Sequence, residues 1–303
     1  RILGPVRHRL QILSISRHID KPLKPCKLET RPQLLRETAE IALTEIKRFI
    51  EPRLLNSFHL RRVSAPLYLP VGSPLLDSRY PGVHVHLDAA HADVEIVASL
   101  DVWLRDQLRR YDIAPGFGVF TIMNALRPDI ASSATASPHI AAWAWQRAIA
   151  TSEMTEMQLA ATARELYALF VDAEKMILDL FPHLHATLHK NLDVISESEL
   201  VKMMPEHTHL RRIYQYLHPG RNGSAEESTA HKNHCAALFV RRSESSIALE
   251  GELWVWNNVI CRPLMLADVG IWRPDNIAGS SVGGNIFRDF LAMQLLHQPS
   301  LLV

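Results

Sequence analysis

A chain of 303 residues with 47% hydrophobic and 21% charged residues has the make-up of an ordinary globular protein, one large domain or two at most. Its net charge of +1 argues against binding nucleic acid over the whole surface, and no run approaches the roughly 18 apolar residues that a membrane span needs. Three cysteines, Cys26, Cys235 and Cys261, are too few and too scattered for a disulfide framework or a zinc site and fit a reducing compartment.

Residues 1 to 28 carry Arg1, Arg7, Arg9, Arg17, Lys21, Lys24 and Lys27 against one acid, Asp20. Three readings fit this stretch: the surroundings of a processed mitochondrial transit peptide, a plain boundary of the sequence, or a proline-containing arm laid across a partner. Residues 1–31 therefore read as a basic N-terminal extension and 32–303 as one domain. From Pro32, QLLRETAEIALTEIKRFIEPRLL has apolar residues at helical spacing and is expected to stop near Pro52. LRRVSAPLYLP reads as a short strand broken by prolines, and VHVHLDA with VEIVAS as a strand pair across a polar turn. VWLRDQLRRY is predicted helical, GVFTIMNALRP and IAAWAWQRAI as strands, and residues 152–181 as the longest helix. Residues 218–233 have the composition of a loop. CAALFVRR and LWVWNNVI read as strands, and FRDFLAMQLL as a closing helix. Strands in series, with helices that do not alternate with them, give the class α+β: an antiparallel β-sheet flanked by helices.

Few residues stand out by chemistry alone. His84 and His86 share a strand face with His91 close by, but a third ligand at firm spacing is missing, and an exposed strand face explains the alternation better. SVGGN before the closing helix reads as a helix-entry turn more readily than as an anion cradle. The chain has no G-x-S-x-G, H-E-x-x-H or P-loop pattern.

Ordered segments carry a resemblance. SLDVWLR (99–105), MNALRPDI (123–130), AWAWQR (142–147), GELWVWNNV (251–259) and the block from Ser281, SVGGNIFRDFLAMQLLHQP, resemble in order the segments of the ammonia-dependent asparagine synthetase (aspartate–ammonia ligase) family. The resemblance implies the catalytic-core fold of class II aminoacyl-tRNA synthetases, activation of aspartate by ATP as an aspartyl-adenylate that ammonia attacks, and pairing into a homodimer. Several positions depart from the family pattern. The family's Gln and Asp beside the tryptophans, which hold the substrate, are Ala142 and Ala144; a Lys facing acidic ligands is Leu104; a Glu is Ile130; an Asp is Glu252; the nucleotide-facing Arg of the closing helix is Phe290, with Arg288 pointing elsewhere; and an acidic insert ahead of Gly251 is missing. Asp77, Ser99 and Arg127 keep the family's residues.

Each lost donor costs about 2–4 kcal/mol of transition-state stabilisation, so the sequence leads us to expect a non-catalytic relative: a structural or accessory subunit of a larger, mitochondrial assembly such as a ribosome or respiratory-chain complex, with the cytoplasm as the alternative location. On that reading the chain has no catalytic residue, metal ligand or cofactor, and Asp77, Ser99, Arg127 and Glu252 are vestigial substrate- or nucleotide-binding groups. The alternatives are a nucleotide- or amino-acid-binding regulator and an active ATP-dependent aspartate–ammonia ligase.

Overall fold

The computed structural model describes residues 36–130, 137–217, 237–242 and 248–297. The basic extension 1–31 and the loop 218–233 lie outside them. The predicted class is correct. The first helix, α1 (Arg36–Ser57), leads into the edge strand β1 (Leu60–Arg62) of an eight-stranded sheet. The sheet continues through β5 (Gly118–Leu126), β6 (His139–Ala148), β11 (Ser281–Phe287), β10 (Arg262–Trp272), β9 (Ala248–Asn257), β8 (Ala237–Arg241) and β7 (Asp193–Ser196). Only its two outer pairs, β1 with β5 and β7 with β8, run parallel. A three-stranded sheet, β2 (Tyr68–Pro70), β4 (Ala92–Ile96) and β3 (Val83–Leu87), stands beside it. The prolines in LRRVSAPLYLP thus divide two strands belonging to different sheets. Among the described residues, no helix is long and apolar enough to cross a membrane.

Sheet periodicity sorts the side chains of β6. Trp143 and Trp145 enter a core formed with α1, α3 (Glu156–Leu180) and α6 (Arg288–Leu296), and the Phe58 and Trp145 rings lie 4.7 Å apart. Burying about 200 Å² of aromatic surface is worth on the order of 5 kcal/mol per tryptophan. A one-residue slip would turn both to the other face, so the register is fixed. Ala142 and Ala144 point the opposite way, against Trp103 and Leu104 of α2 (Asp101–Arg110), with Val119 and Met123 beside them. The sequence suggested a cavity stripped of polar groups at these alanines. Instead, their methyls are fully buried under α2. Small residues on β6 and an apolar one at position 104 let the helix lie flat on the sheet.

Two predicted boundaries moved, each for a packing reason. Helix α1 runs through Pro52 to Ser57 although an interior proline costs about 3 kcal/mol. Beyond it, Leu54 and Phe58 are fully buried, and each contributes about 1.5–3 kcal/mol of apolar burial that offsets the cost. The segment SVGGN, read as a turn, is the buried strand β11 between β6 and β10. Its glycines answer to crowding by neighbouring strands: a Cβ on Gly283 would lie 2.2 Å from the Trp145 carbonyl oxygen, and one on Gly284 2.2 Å from that of Asp268. Strand β10 and the short helices α4 (Glu197–Met203) and α5 (His209–Leu217) were not predicted.

Candidate active site

The face of the sheet that carries Ala142 also carries the polar residues. The loop between β2 and β3 brings Asp77, Arg79 and Tyr80 over the N-terminal end of α2. Arg79 clamps Asp77 with Nε to Oδ1 at 2.9 Å and Nη2 to Oδ2 at 2.7 Å. The same guanidinium donates from Nη1 to Glu250 at 2.8 Å and from Nη2 to Asp101 at 3.3 Å. Asp101 opens α2, where a negative charge suits the helix dipole, and its backbone N–H donates to the Ser99 hydroxyl at 3.2 Å. From Asp101 the network passes to the Asn285 amide at 3.3 Å and on to Asp268, which accepts from the Asn285 backbone N–H at 2.8 Å.

Asp268 reaches this face through an irregularity. The pairing of β10 with β9 shifts between Met265 and Ala267, so Met265 opposes Trp254 while Asp268 opposes Glu252. Leu264, Leu266, Ala267 and Val269 all belong to the core under α3. Without the extra residue, Asp268 would point into that core. A β-bulge commonly re-aims one side chain in this way next to a functional site. Tyr80, Ser99, Arg127, Asp268, Asn285 and Phe290 then line one cavity.

Electrostatics follow from burial with few cations. Burial, and then the charge of nearby Asp101, pushes the Asp268 carboxyl up to about 8. Burial also lifts Asp101 to about 6 against the pull of Arg79, and it holds the Tyr80 hydroxyl well above its ordinary range. Arg127 is buried beneath the cavity wall, bidentate to Asp129 at 2.9 and 2.8 Å, with its guanidinium 4.2 Å from the Tyr80 ring centroid. An ion pair to Asp129 and a position lining the cavity thus coexist in Arg127. Asp129 occupies Nε and Nη2 and leaves Nη1 as the remaining donor.

The residues singled out in sequence divide accordingly. Ser99 and Arg127 line the cavity, and Asp77 anchors Arg79 behind it. Glu252 belongs to a neighbouring network, where it accepts from His209 Nε2 at 3.0 Å and from the Trp254 indole at 3.0 Å, with Arg242 Nε at 3.2 Å. The other His209 nitrogen meets Glu197 at 2.9 Å. Leu104 is buried in an apolar cluster, Ile130 is buried, and Phe290 packs on Phe287 with ring centroids 6.1 Å apart. Arg288 donates to Asn124 at 3.1 Å and does not line the cavity. His84 and His86 pair with Glu95 and Asp93 across the exposed β3–β4 face. Among the described residues, no group of three or more His, Cys, Asp or Glu side chains is placed to hold a metal ion.

The His209 network makes a pH-dependent contribution to stability. Burial works against its charge, but hydrogen bonds donated to the Glu197 and Glu252 carboxylates raise His209 to about 9 from 6.5. The contribution is therefore complete below pH 6.5 and lost as the pH rises through 9. At about 1.4 kcal/mol per unit it amounts to roughly 3 kcal/mol. Urea titrations of the protein and of His209→Gln should show a stability gap that closes between pH 6 and pH 10. A gap of constant size would refute the assignment.

A family model described as aspartate-ammonia ligase matches residues 37–276, well over half of the chain, including the His209 network and all of the Arg79 network except Asn285. The chain belongs to the aspartate–ammonia ligase family. It is 26% identical over 255 residues to the aspartate–ammonia ligase of Bacteroides fragilis, covering 80% of this chain and 74% of that protein. It is 35% identical over 178 residues to the aspartate–ammonia ligase of Bacillus cytotoxicus, covering 57% of this chain and 54% of that one. In architecture it is similar to the asparaginyl-tRNA synthetase of Entamoeba histolytica, solved with asparaginyl-adenylate, with a TM-score of 0.59 at 9% identity over 88% of this chain and 65% of that chain. The class II synthetase core expected from the resemblance is thus the fold of this aspartate–ammonia ligase family member.

These matches correct the expected function. The reading as a non-catalytic structural or accessory subunit, and with it the assembly it was to join, gives way to relatives named as ligases along most of the chain. The alternative of a binding regulator is not favoured either. The physical reason lies in the location of the polar groups. The alanines and Leu104 were taken to line a stripped cavity, whereas they pack a helix onto the sheet, and the cavity beside them is walled by Arg127, Asp268, Asn285 and Ser99. Sequence reasoning missed Arg79, Asp101, Asp268, Asn285 and His209. Arg79 stands two residues from Asp77, and Asp101 two from Ser99, so proximity to the surviving positions was the available signal.

Proposed function

We propose that this chain joins aspartate to ammonia, activating the carboxyl group with ATP. The observation that carries this reading is the family match across 37–276, which spans the loop of Arg79, the Arg127 turn and the bulged strand of Asp268. The neighbouring geometry supports it. An acidic substrate needs a fixed cation, and Arg127 is buried at the cavity with its orientation set by Asp129 and Tyr80. Leu104 cannot supply the charge the family places there, and Arg79 brings a guanidinium to the end of the same helix from the preceding loop. Activation converts the carboxylate and ATP into an acyl-adenylate and pyrophosphate. Ammonia then attacks the acyl carbon, and AMP leaves.

The test is release of AMP by purified protein in the presence of ATP, aspartate and ammonium. Release that requires all three, and that falls about a hundredfold in kcat/KM for Arg127→Ala, is the expected result. Release below that of the Arg127→Ala protein, or independent of aspartate, would overturn the proposal.

A further inference from the structure

Asp268 differs from Asp77, Asp101, Glu250 and Asp129, each of which pairs with an arginine. Arg79 serves Asp77, Asp101 and Glu250, and Asp129 serves Arg127. The hydrogen-bond partners of Asp268 are the backbone N–H and side-chain amide of Asn285, and neither carries a charge. A buried carboxylate without a cation is costly. A second acceptor stands beside it: Asn285 is 94% buried, at 6% exposure, and turns its amide N–H₂ to Asp101 and Asp268, while its Oδ1 has no hydrogen-bond partner. An unsatisfied buried oxygen costs about 1–3 kcal/mol. Both residues line the cavity with Ser99 and Tyr80, whose hydroxyl oxygens are further acceptors. The groups that hydrogen-bond this carboxylate therefore carry no formal positive charge, and Arg127, on the wall of the same cavity, is held by Asp129.

We infer that Asp268 and Asn285 Oδ1 form the binding site for a protonated amine, the nitrogen-bearing group of the proposed reaction. A tetrahedral ammonium has several donors and one charge. It would satisfy Asp268, the orphan amide oxygen and a hydroxyl together, whereas a carboxylate or phosphate set directly against Asp268 would be repelled and is better placed toward Arg127 on the same cavity. The bulge in β10 places Asp268 there, since the regular register would turn it into the apolar core. The elevated Asp268 carboxyl fits a site completed by a bound cation. Two sources supply this chemistry, free ammonium and the α-ammonium group of aspartate.

The inference rests on the ligase reading for its substrate, and its test separates the two. With purified full-length protein, melting is followed in ammonium chloride, potassium chloride and tetramethylammonium chloride at equal ionic strength, and in L-aspartate against succinate. Stabilisation by ammonium beyond both other salts identifies the free ion, and stabilisation by aspartate beyond succinate identifies the α-amine. Either result supports the site, provided Asp268→Asn abolishes it while circular dichroism shows a folded protein. In turnover, the same variant should raise by about tenfold or more the KM for whichever amine binds there and leave the other substrate's KM unchanged. No difference among the salts or between aspartate and succinate in the unaltered protein, or turnover constants unmoved by Asp268→Asn, would overturn the inference. An ammonium-specific shift without asparagine formation would sink the ligase reading and keep the amine site.

Discussion

Replacing Arg79 by alanine is expected to lower the unfolding free energy by about 3–5 kcal/mol, because it strands buried carboxylates that one guanidinium now serves. Asp77 and Asp101 are nearly inaccessible, at 3% and 8% side-chain exposure, and both pair with this residue. Glu250 is its third partner at 2.8 Å. The penalty is the cost of unpaired buried charge, so it should be relieved when a charge is removed with it. Arg79→Ala combined with Asp77→Ala should be more stable than Arg79→Ala alone. Lysine at position 79 should rescue only part of the loss, since a point charge cannot reproduce a planar fork with three carboxylate partners. Urea unfolding of these variants at neutral pH gives the comparison. A loss below about 1 kcal/mol would place Arg79 among ordinary surface ion pairs.

The second large effect concerns the position where the family carries lysine. Leu104 is fully buried against Ala142, Ala144, Trp103 and Met123. Leu104→Lys in this chain does not regain a functional cation; it places an amine under α2 with no acidic partner in that cluster. Driving the amine from its free pKa near 10.4 to the neutral form costs about 4–5 kcal/mol at pH 7. The sign follows: the lysine's folded pKa is depressed, so the destabilisation should be greatest at and below neutral pH and shrink as the pH approaches 10. Leu104→Met, which conserves volume, should cost less than about 1.5 kcal/mol at any pH. A lysine variant as stable as the parent at pH 7 would mean that the alanines and α2 enclose a polar space after all.

The same stretch shows how far sequence alone reached. The period of AWAWQR placed β6 and sent its tryptophans to the core, because alternation leaves a half-buried strand no other arrangement. It could not show what covered the alanine face. Small side chains are equally compatible with an empty pocket and with a closely packed helix, and the choice depends on α2, which neighbours β6 only through the fold. Sheet order was accessible only through the family resemblance. Strand β10 was missed because Pro263 and the acid at 268 interrupt its apolar run, and the bulge that aims Asp268 is a pairing property with no local signature. Arg127 and Ser99 were found because they survive in recognisable segments. Arg79, Asn285 and His209 emerge only when residues distant in sequence meet, as His209 does with Glu252 at 3.0 Å. Reading lost function from lost residues failed for a related reason: the substitutions were visible singly, and the groups standing beside them were not.

The central claim is that this rearranged site still joins aspartate to ammonia. Incubation of the purified protein with ATP, aspartate and ¹⁵N-labelled ammonium, followed by NMR or mass spectrometry, tests it most directly. The expected product is asparagine labelled in its side-chain amide and formed together with AMP. Unlabelled aspartate recovered in full, with ATP intact, would contradict it.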